Sequence, residues 1–151
     1  MIYFAEICEV ALKITADESM ITGISFSEAE NRSVGVPCPL IEKCVAELNE
    51  YFLKERSEFS IPFIASGTRF QMDVWREISR IPYGETRTYS DIAEALGNAK
   101  AVRAVGAACS KNPTVLLIPC HRVVGKNGSL TGFVGGIDLK RKLLNLEGGS
   151  F

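Results

Sequence analysis

Histidine is nearly missing from this chain, with one residue, His121, in 151. Zinc sites are built from several Cys and His ligands at short spacings. The five cysteines (Cys8, Cys38, Cys44, Cys109, Cys120) include no Cys-x-x-Cys pair, so metal ligation finds little support. No apolar run approaches the roughly 20 residues that a membrane helix needs. The opening residues 1–9 hold two acids, Glu6 and Glu9, and no base, unlike a secretory leader. These absences lead to the expectation of a cytoplasmic protein with no metal and no cofactor. A disulfide from Cys8 to Cys38 or Cys44 would be expected only if the source were a hyperthermophile.

What is present suffices for a folded core: 46% of the residues are hydrophobic. The net charge of −1 hides a division along the chain. Residues 1–66 carry 5 Lys+Arg against 11 Asp+Glu, and residues 67–151 carry 12 against 7. The first part is therefore acidic and the second basic, and affinity for a polyanion belongs to the second alone. Pro62 and Gly67 flank the change of sign, which sets the expected boundary: an N-terminal α/β lobe over 1–66 and a second domain over 67–151.

In the first lobe, residues 2–14 and 20–27 are rich in β-branched and aromatic side chains around the polar turn Asp17-Glu18-Ser19, the pattern of an antiparallel pair. Ile41, Cys44, Val45, Leu48, Tyr51 and Phe52 recur at helical spacing over 40–54, and residues 56–67 read as linker. In the second domain, Phe70, Val74, Trp75 and Ile78 form a helical stripe that ends at Pro82. A short helix over 91–96, capped by Ser90, stops at Gly97-Asn98, and a second follows over 99–109. Two short helices around a Gly-containing turn read as a helix-turn-helix. The second helix offers Ala101, Ala104, Gly106 and Ala108 with Arg103 as its long cation. Small residues allow close backbone approach, and the lack of Asn, Gln or several Arg argues against rich base reading in the major groove; shape and backbone contact in the minor groove suit it better.

The chemistry is expected in Ile118-Pro119-Cys120-His121-Arg122-Val123-Val124. A thiol is intrinsically a strong nucleophile once ionised, and an imidazole is the usual means of ionising it. Adjacent side chains of an extended segment point to opposite faces, however. His121 can serve Cys120 only through a turn or a bridging water.

Gly67-Thr68-Arg69-Phe70-Gln71, Val74-Trp75, Ile81-Pro82-Tyr83-Gly84, Thr88-Tyr89, Arg103-Ala104-Val105-Gly106, Asn112-Pro113 and the Pro-Cys-His-Arg-Val core, followed by Gly135-Gly136, Leu143-Leu144 and Glu147-Gly148, resemble the O6-alkylguanine-DNA alkyltransferases. The resemblance covers about 67–148; residues 1–66 resemble the family in outline only. It implies an α+β protein whose mainly helical second lobe carries a winged-helix-like helix-turn-helix.

It also implies direct repair of DNA. A guanine alkylated at O6, with O4-alkylthymine as a further substrate, is flipped from duplex DNA and gives its alkyl group irreversibly to Cys120, consuming the protein in a single turnover. The same resemblance makes His121 the proton acceptor through a water, Glu147 its orienting acid, Tyr89 the donor to guanine N3 and Asn112 the brace of the active turn. The base is read by the carbonyls of Cys120 and Val123 and the amide of Val134, in a pocket that includes Phe133 and Gly135. Val134 is larger than the residue usual there. Arg103 fills the space of the flipped base, with Ala101 and Gly106 at the DNA surface and Lys100, Lys111, Arg122 and Lys126 as phosphate candidates; Arg122 is equally a candidate bridge between lobes. A monomer is expected. Of the other classes, alkyltransferase-like binding proteins lack the acceptor cysteine, and a Cys-His hydrolase would not carry the helix-turn-helix.

Overall fold

The computed structural model describes residues 1–28 and 36–151. Its contacts divide into two compact units: Met1–Ala65 with Pro113–Val115, and Ser66–Asn112 with Leu116–Phe151. The chain thus returns to the first unit for three residues, a detour that a single boundary at 66/67 does not capture.

In the first unit β1 (Ile2–Ile7), β2 (Val10–Ala16) and β3 (Ile21–Phe26) form an antiparallel sheet in that order. Alternation fixes the buried face of β2, where Val10, Leu12, Ile14 and Ala16 point inward. The single strand expected over 2–14 is two strands. Cys8 and Glu9 adopt φ of 50° and 68° and close a two-residue hairpin across the Ile7–Val10 pair. Neither residue type favours that conformation, so no turn signal marks the place. The Asp17 turn is as expected, its carboxylate accepting from the Ser19 and Met20 N–H groups, both at 2.8 Å.

Helix α1 (Pro39–Phe52) buries Ile41, Cys44, Leu48, Tyr51 and Phe52 and packs on β1 and β2. The same face buries Glu47, which accepts from Ser60 N (2.7 Å), Ser60 Oγ (2.6 Å) and Ile61 N (3.2 Å). Residues after Arg56 are therefore pinned rather than a free linker, with Ile61 buried and Phe63 bridged to Ile21. The returning segment adds to β3: Ile24 N–H donates to the Pro113 carbonyl and Val115 N–H to that of Ile24. Among the described residues, Cys8, Cys38 and Cys44 are not joined in disulfides.

The second unit opens with α2 (Arg69–Ile78). The Thr68 hydroxyl accepts from Gln71 N–H and Gln71 Oε1 accepts from Thr68 N–H, a reciprocal cap. Trp75, buried with Val74 and Ile78, donates its indole N–H to the Ala108 carbonyl at 2.9 Å. Next come β4 (Arg87–Thr88), α3 (Tyr89–Ala95) and α4 (Val102–Ser110). Thr88, not Ser90, caps α3, paired reciprocally with Asp91. Gly97, at φ 76°, ends α3 in a conformation that costs glycine little. Helices α3 and α4 pack together as the helix-turn-helix. Val105 and Ala108 face the core, while Arg103, Ala104 and Ala107 are exposed. Ala108 therefore leaves the small outer surface read from sequence, and Ala107 joins it.

Strand β5 (Val123–Val124) pairs with β4 in parallel, two residues against two. Helix α5 (Ile137–Leu146), unassigned from sequence, buries Lys140, Leu143 and Leu144.

Candidate active site

The β4–β5 ribbon assembles the site. Tyr89 directly follows β4, and Cys120–Arg122 directly precede β5, so the register Arg87 with Val123 and Thr88 with Val124 brings phenol and thiol segments together. Cys120–Arg122 form one 3-10 turn, with Arg122 N–H donating to the Pro119 carbonyl at 2.9 Å. The turn is the local structure that the adjacency of Cys120 and His121 required. Asn112 fixes it: its Nδ2 donates to the Ile118 carbonyl at 2.9 Å and to Cys120 Sγ at 3.2 Å.

Cys120 is buried and lines a cavity of about 470 Å³. Tyr89 of α3, Val102, Gly106, Cys109 and Ser110 of α4, and the segment 131–134 form its other walls. The volume falls within the ~300–1,000 Å³ usual for ligand sites. Burial raises the Tyr89 phenol above its ordinary value, so it remains protonated and able to donate at neutral pH.

Behind the turn lies a buried charge cluster. Glu147 Oε2 is 2.6 Å from His121 Nε2, Arg122 Nε donates to Glu147 Oε1 at 2.8 Å, and Arg122 also donates to the Ile81 carbonyl at 2.8 Å. Gly84 N–H donates to Glu147 Oε1 at 3.2 Å. Gly84 has φ 81°, and a Cβ there would stand 3.1 Å from the Glu147 carbonyl oxygen. Burial lowers the His121 pKa, and the hydrogen bond that the ring donates to Glu147 offsets part of that effect. The imidazole is therefore neutral at pH 7. With its Nε2–H directed at the carboxylate, the basic lone pair lies on Nδ1.

Of the expected site residues, Cys120, Tyr89, Phe133, Val134 and Gly106 surround the cavity, Asn112 touches the thiol, and His121 meets Glu147. Val134 is exposed at the rim. Arg103 and Lys100 are exposed, and Ala101 and Gly135 are half-buried outside the cavity wall. Two expectations are corrected. Arg122 is not placed to meet phosphate: it is buried and directs donors to Glu147 and Ile81, all within its own unit. Val123 does not line the cavity, because it is fully buried in β5 and its carbonyl accepts from the Lys140 ammonium at 2.5 Å.

Lys140, Cys109 and Thr131 were missed. Lys140 has no solvent exposure; its Nζ also donates to the Thr131 carbonyl at 3.1 Å and lies 5.7 Å from the Tyr89 ring centre. Its signal was its place on the apolar face of α5 with Leu143 and Leu144, where a cation needs a reason to be.

Because α4 of the helix-turn-helix itself walls the cavity that holds the thiol, fold and site together define a DNA-binding protein with a cysteine nucleophile. Residues 69–149 match the DNA-binding domain of the 6-O-methylguanine DNA methyltransferases, and residues 11–65 match their ribonuclease-like domain. The chain belongs to that family, the methylated-DNA–protein-cysteine methyltransferases of direct-reversal DNA repair. It is 41% identical to the methylated-DNA–protein-cysteine methyltransferase of Methanosarcina acetivorans over 141 residues, 89% of this chain and 90% of the relative. To that of Mycobacterium bovis it is 50% identical over 140 residues, 90% of this chain and 85% of the relative. Among solved structures, Mycobacterium tuberculosis OGT in complex with DNA superimposes with a TM-score of 0.82 at 43% identity, covering 91% of this chain and 86% of that one. The family match over residues 11–65 extends membership to the lobe that sequence reading joined to it only in outline.

Proposed function

We propose that Cys120 is the acceptor, taking the alkyl group from O6-alkylguanine, and from O4-alkylthymine, in a base flipped from duplex DNA. The observation that carries this reading is the Cys120 sulfur, held by Asn112 at the wall of a cavity shared with α4. Displacement at an alkyl carbon calls for a soft nucleophile, and a thiolate is the best that side chains offer. The S–C bond forms as C–O6 breaks, and the electron pair leaves on guanine. A thioether does not revert, so each molecule acts once.

Neutral His121 receives the thiol proton through a water, and Glu147 holds the ring in the tautomer that can do so. Tyr89, kept protonated by burial, hydrogen-bonds guanine N3 and eases departure of the base. The Cys120 carbonyl and the Val134 amide read the base. Exposed Arg103 fills the vacated stack, Ala101 and Gly106 let the backbone approach the minor groove, and exposed Lys100, Lys111 and Lys126 meet phosphates. The protein acts as a monomer in the cytoplasm.

Stoichiometry tests the reading. One equivalent of O6-methylguanine duplex is repaired, and a second equivalent added to the same protein is not; sustained turnover would contradict it. Arg103→Ala slows repair of duplex by about tenfold, the equivalent of about 1.4 kcal/mol in stabilising a base whose flipping costs a few kcal/mol. Reaction with the free base O6-benzylguanine changes by less than twofold, because no base needs flipping. Equal loss on both substrates, in single-turnover assays, would assign Arg103 to the fold instead.

A further inference from the structure

We propose that Gly23, in the sheet of the first unit, is a positioning residue for the Cys120 thiol, acting through the returning segment Pro113–Val115 and Asn112. The proposal rests on the reading of Cys120 as acceptor. Strand β3 pairs with β2 along one edge and lends its backbone to two further segments, Phe63 bridging Ile21 and Thr114 bridging Ile24. Ile24 N–H donates to the Pro113 carbonyl at 2.9 Å, and Val115 N–H donates to the Ile24 carbonyl at 3.0 Å.

Gly23 lies between these two bridges, in a strand that otherwise reads Ile21-Thr22 and Ile24-Ser25-Phe26. A glycine weakens a strand interior, and its usual reason for being there is the close approach of another backbone. Here a Cβ on residue 23 would stand 3.3 Å from the Pro113 carbonyl oxygen and 2.7 Å from Thr15 Oγ1. The missing side chain is what lets the returning segment reach β3.

The link from that segment to the thiol is covalent. Asn112 directly precedes Pro113, and its Nδ2 donates to the Ile118 carbonyl at 2.9 Å and to Cys120 Sγ at 3.2 Å. Pro113 restricts Asn112 to extended backbone, so a shift of the anchored proline is passed on to the amide. On its α4 side the backbone tie is longer, from Asn112 N–H to the Cys109 carbonyl at 3.3 Å. Past Val115, Leu116 takes φ 74°, a strained conformation that persists where the surrounding chain is held. The strain falls where the chain leaves β3 for the active turn.

A donor 3.2 Å from the sulfur favours the thiolate over the thiol, so displacing Asn112 should be visible in the pH dependence of transfer. The titratable groups near the thiol are Tyr89 of α3 and Cys109 of α4 in the same cavity, Lys140 of α5 against the Tyr89 ring, and His121 on the turn. A substitution in β3 alters none of them.

Single-turnover transfer against pH, in the full chain, tests the proposal with Gly23→Ala, Gly23→Val and the pair Thr15→Ala with Gly23→Ala. In the pair only the crowding of Pro113 remains, and Thr15→Ala alone is its reference. A glycine with no task would give, as alanine, an equal or higher Tm and unchanged transfer. The expected result is a rate profile moved up by about half a pH unit in both Gly23→Ala proteins, a roughly threefold loss at pH 7 that is recovered at high pH. Gly23→Val should lose more. The free base O6-benzylguanine should show the same loss, with duplex affinity unchanged, because the effect is on the thiol. In an Asn112→Ala background Gly23→Ala should cost nothing further. Circular dichroism checks folding, and if Gly23→Val does not fold, the alanine pair decides. Parent rates in the folded Gly23 variants, a loss equal at every pH, or the same loss with Asn112 already replaced would overturn the proposal. If Cys120 of the parent protein stays unmethylated, the reading of Cys120 as acceptor fails instead.

Discussion

Cys120→Ser abolishes alkyl transfer while the protein still binds O6-methylguanine duplex. The substitution is nearly isosteric, and the Asn112 amide that donates to Sγ can donate equally to a hydroxyl oxygen, so the turn is kept. The nucleophile is not. An alcohol is hardly ionised near pH 7, and the groups around Cys120 cannot change that: the imidazole is neutral and weakly basic, and the cavity is buried. A loss of at least a thousandfold is expected, near the limit of a single-turnover assay and equivalent to about 4 kcal/mol. Duplex binding, measured by fluorescence anisotropy, should stay within about twofold because the α4 surface is untouched.

Glu147→Gln has the second largest effect, and it acts on both fold and rate. The carboxylate faces donors from His121, Arg122 and Gly84 within one buried cluster. An amide replaces one acceptor oxygen with an NH2 group, which opposes another donor whichever way it is turned. It also leaves the Arg122 guanidinium buried without its counter-charge. Removing one partner of a buried pair costs about 3–5 kcal/mol. For a chain of this length that lowers Tm by roughly 10 °C.

Below that temperature, transfer at pH 7 should be about tenfold slower, because His121 loses the anion that favours its protonated form and the thiolate loses support. Raising the pH recovers much of the rate as the thiol ionises without help, and DNA affinity is nearly unchanged. Coincident pH profiles for the two proteins would restrict Glu147 to holding the fold.

The residues most legible in the sequence were those whose chemistry is specific. The Pro-Cys-His-Arg-Val run, the Thr-Tyr pair and Asn112 identified the family before any geometry was known, and the helix-turn-helix followed from Gly97 between two short periodic segments. Burial and partner choice were harder to read. Arg122 looks like any basic surface residue in sequence, and only the approach of Glu147, 25 residues away, makes it internal. Lys140 was hidden for the same reason, and Cys109 because a cysteine on a helix of small residues is ordinarily core. The first hairpin was missed since Cys8 and Glu9 carry φ > 0 without the glycine or asparagine that announces such turns. Glu47 organises residues 60–61 through a contact that crosses 13 residues, beyond the reach of local pattern.

The central claim is that a single sulfur, Cys120, ends the reaction carrying the alkyl group. Mass spectrometry of the intact protein after incubation with excess O6-methylguanine duplex, followed by fragmentation of its peptides, tests this most directly. The account predicts one added methyl group per molecule, located on Cys120, with Cys109 unmodified. Methyl on Cys109, more than one methyl per chain, or repaired DNA with unmodified protein would contradict it.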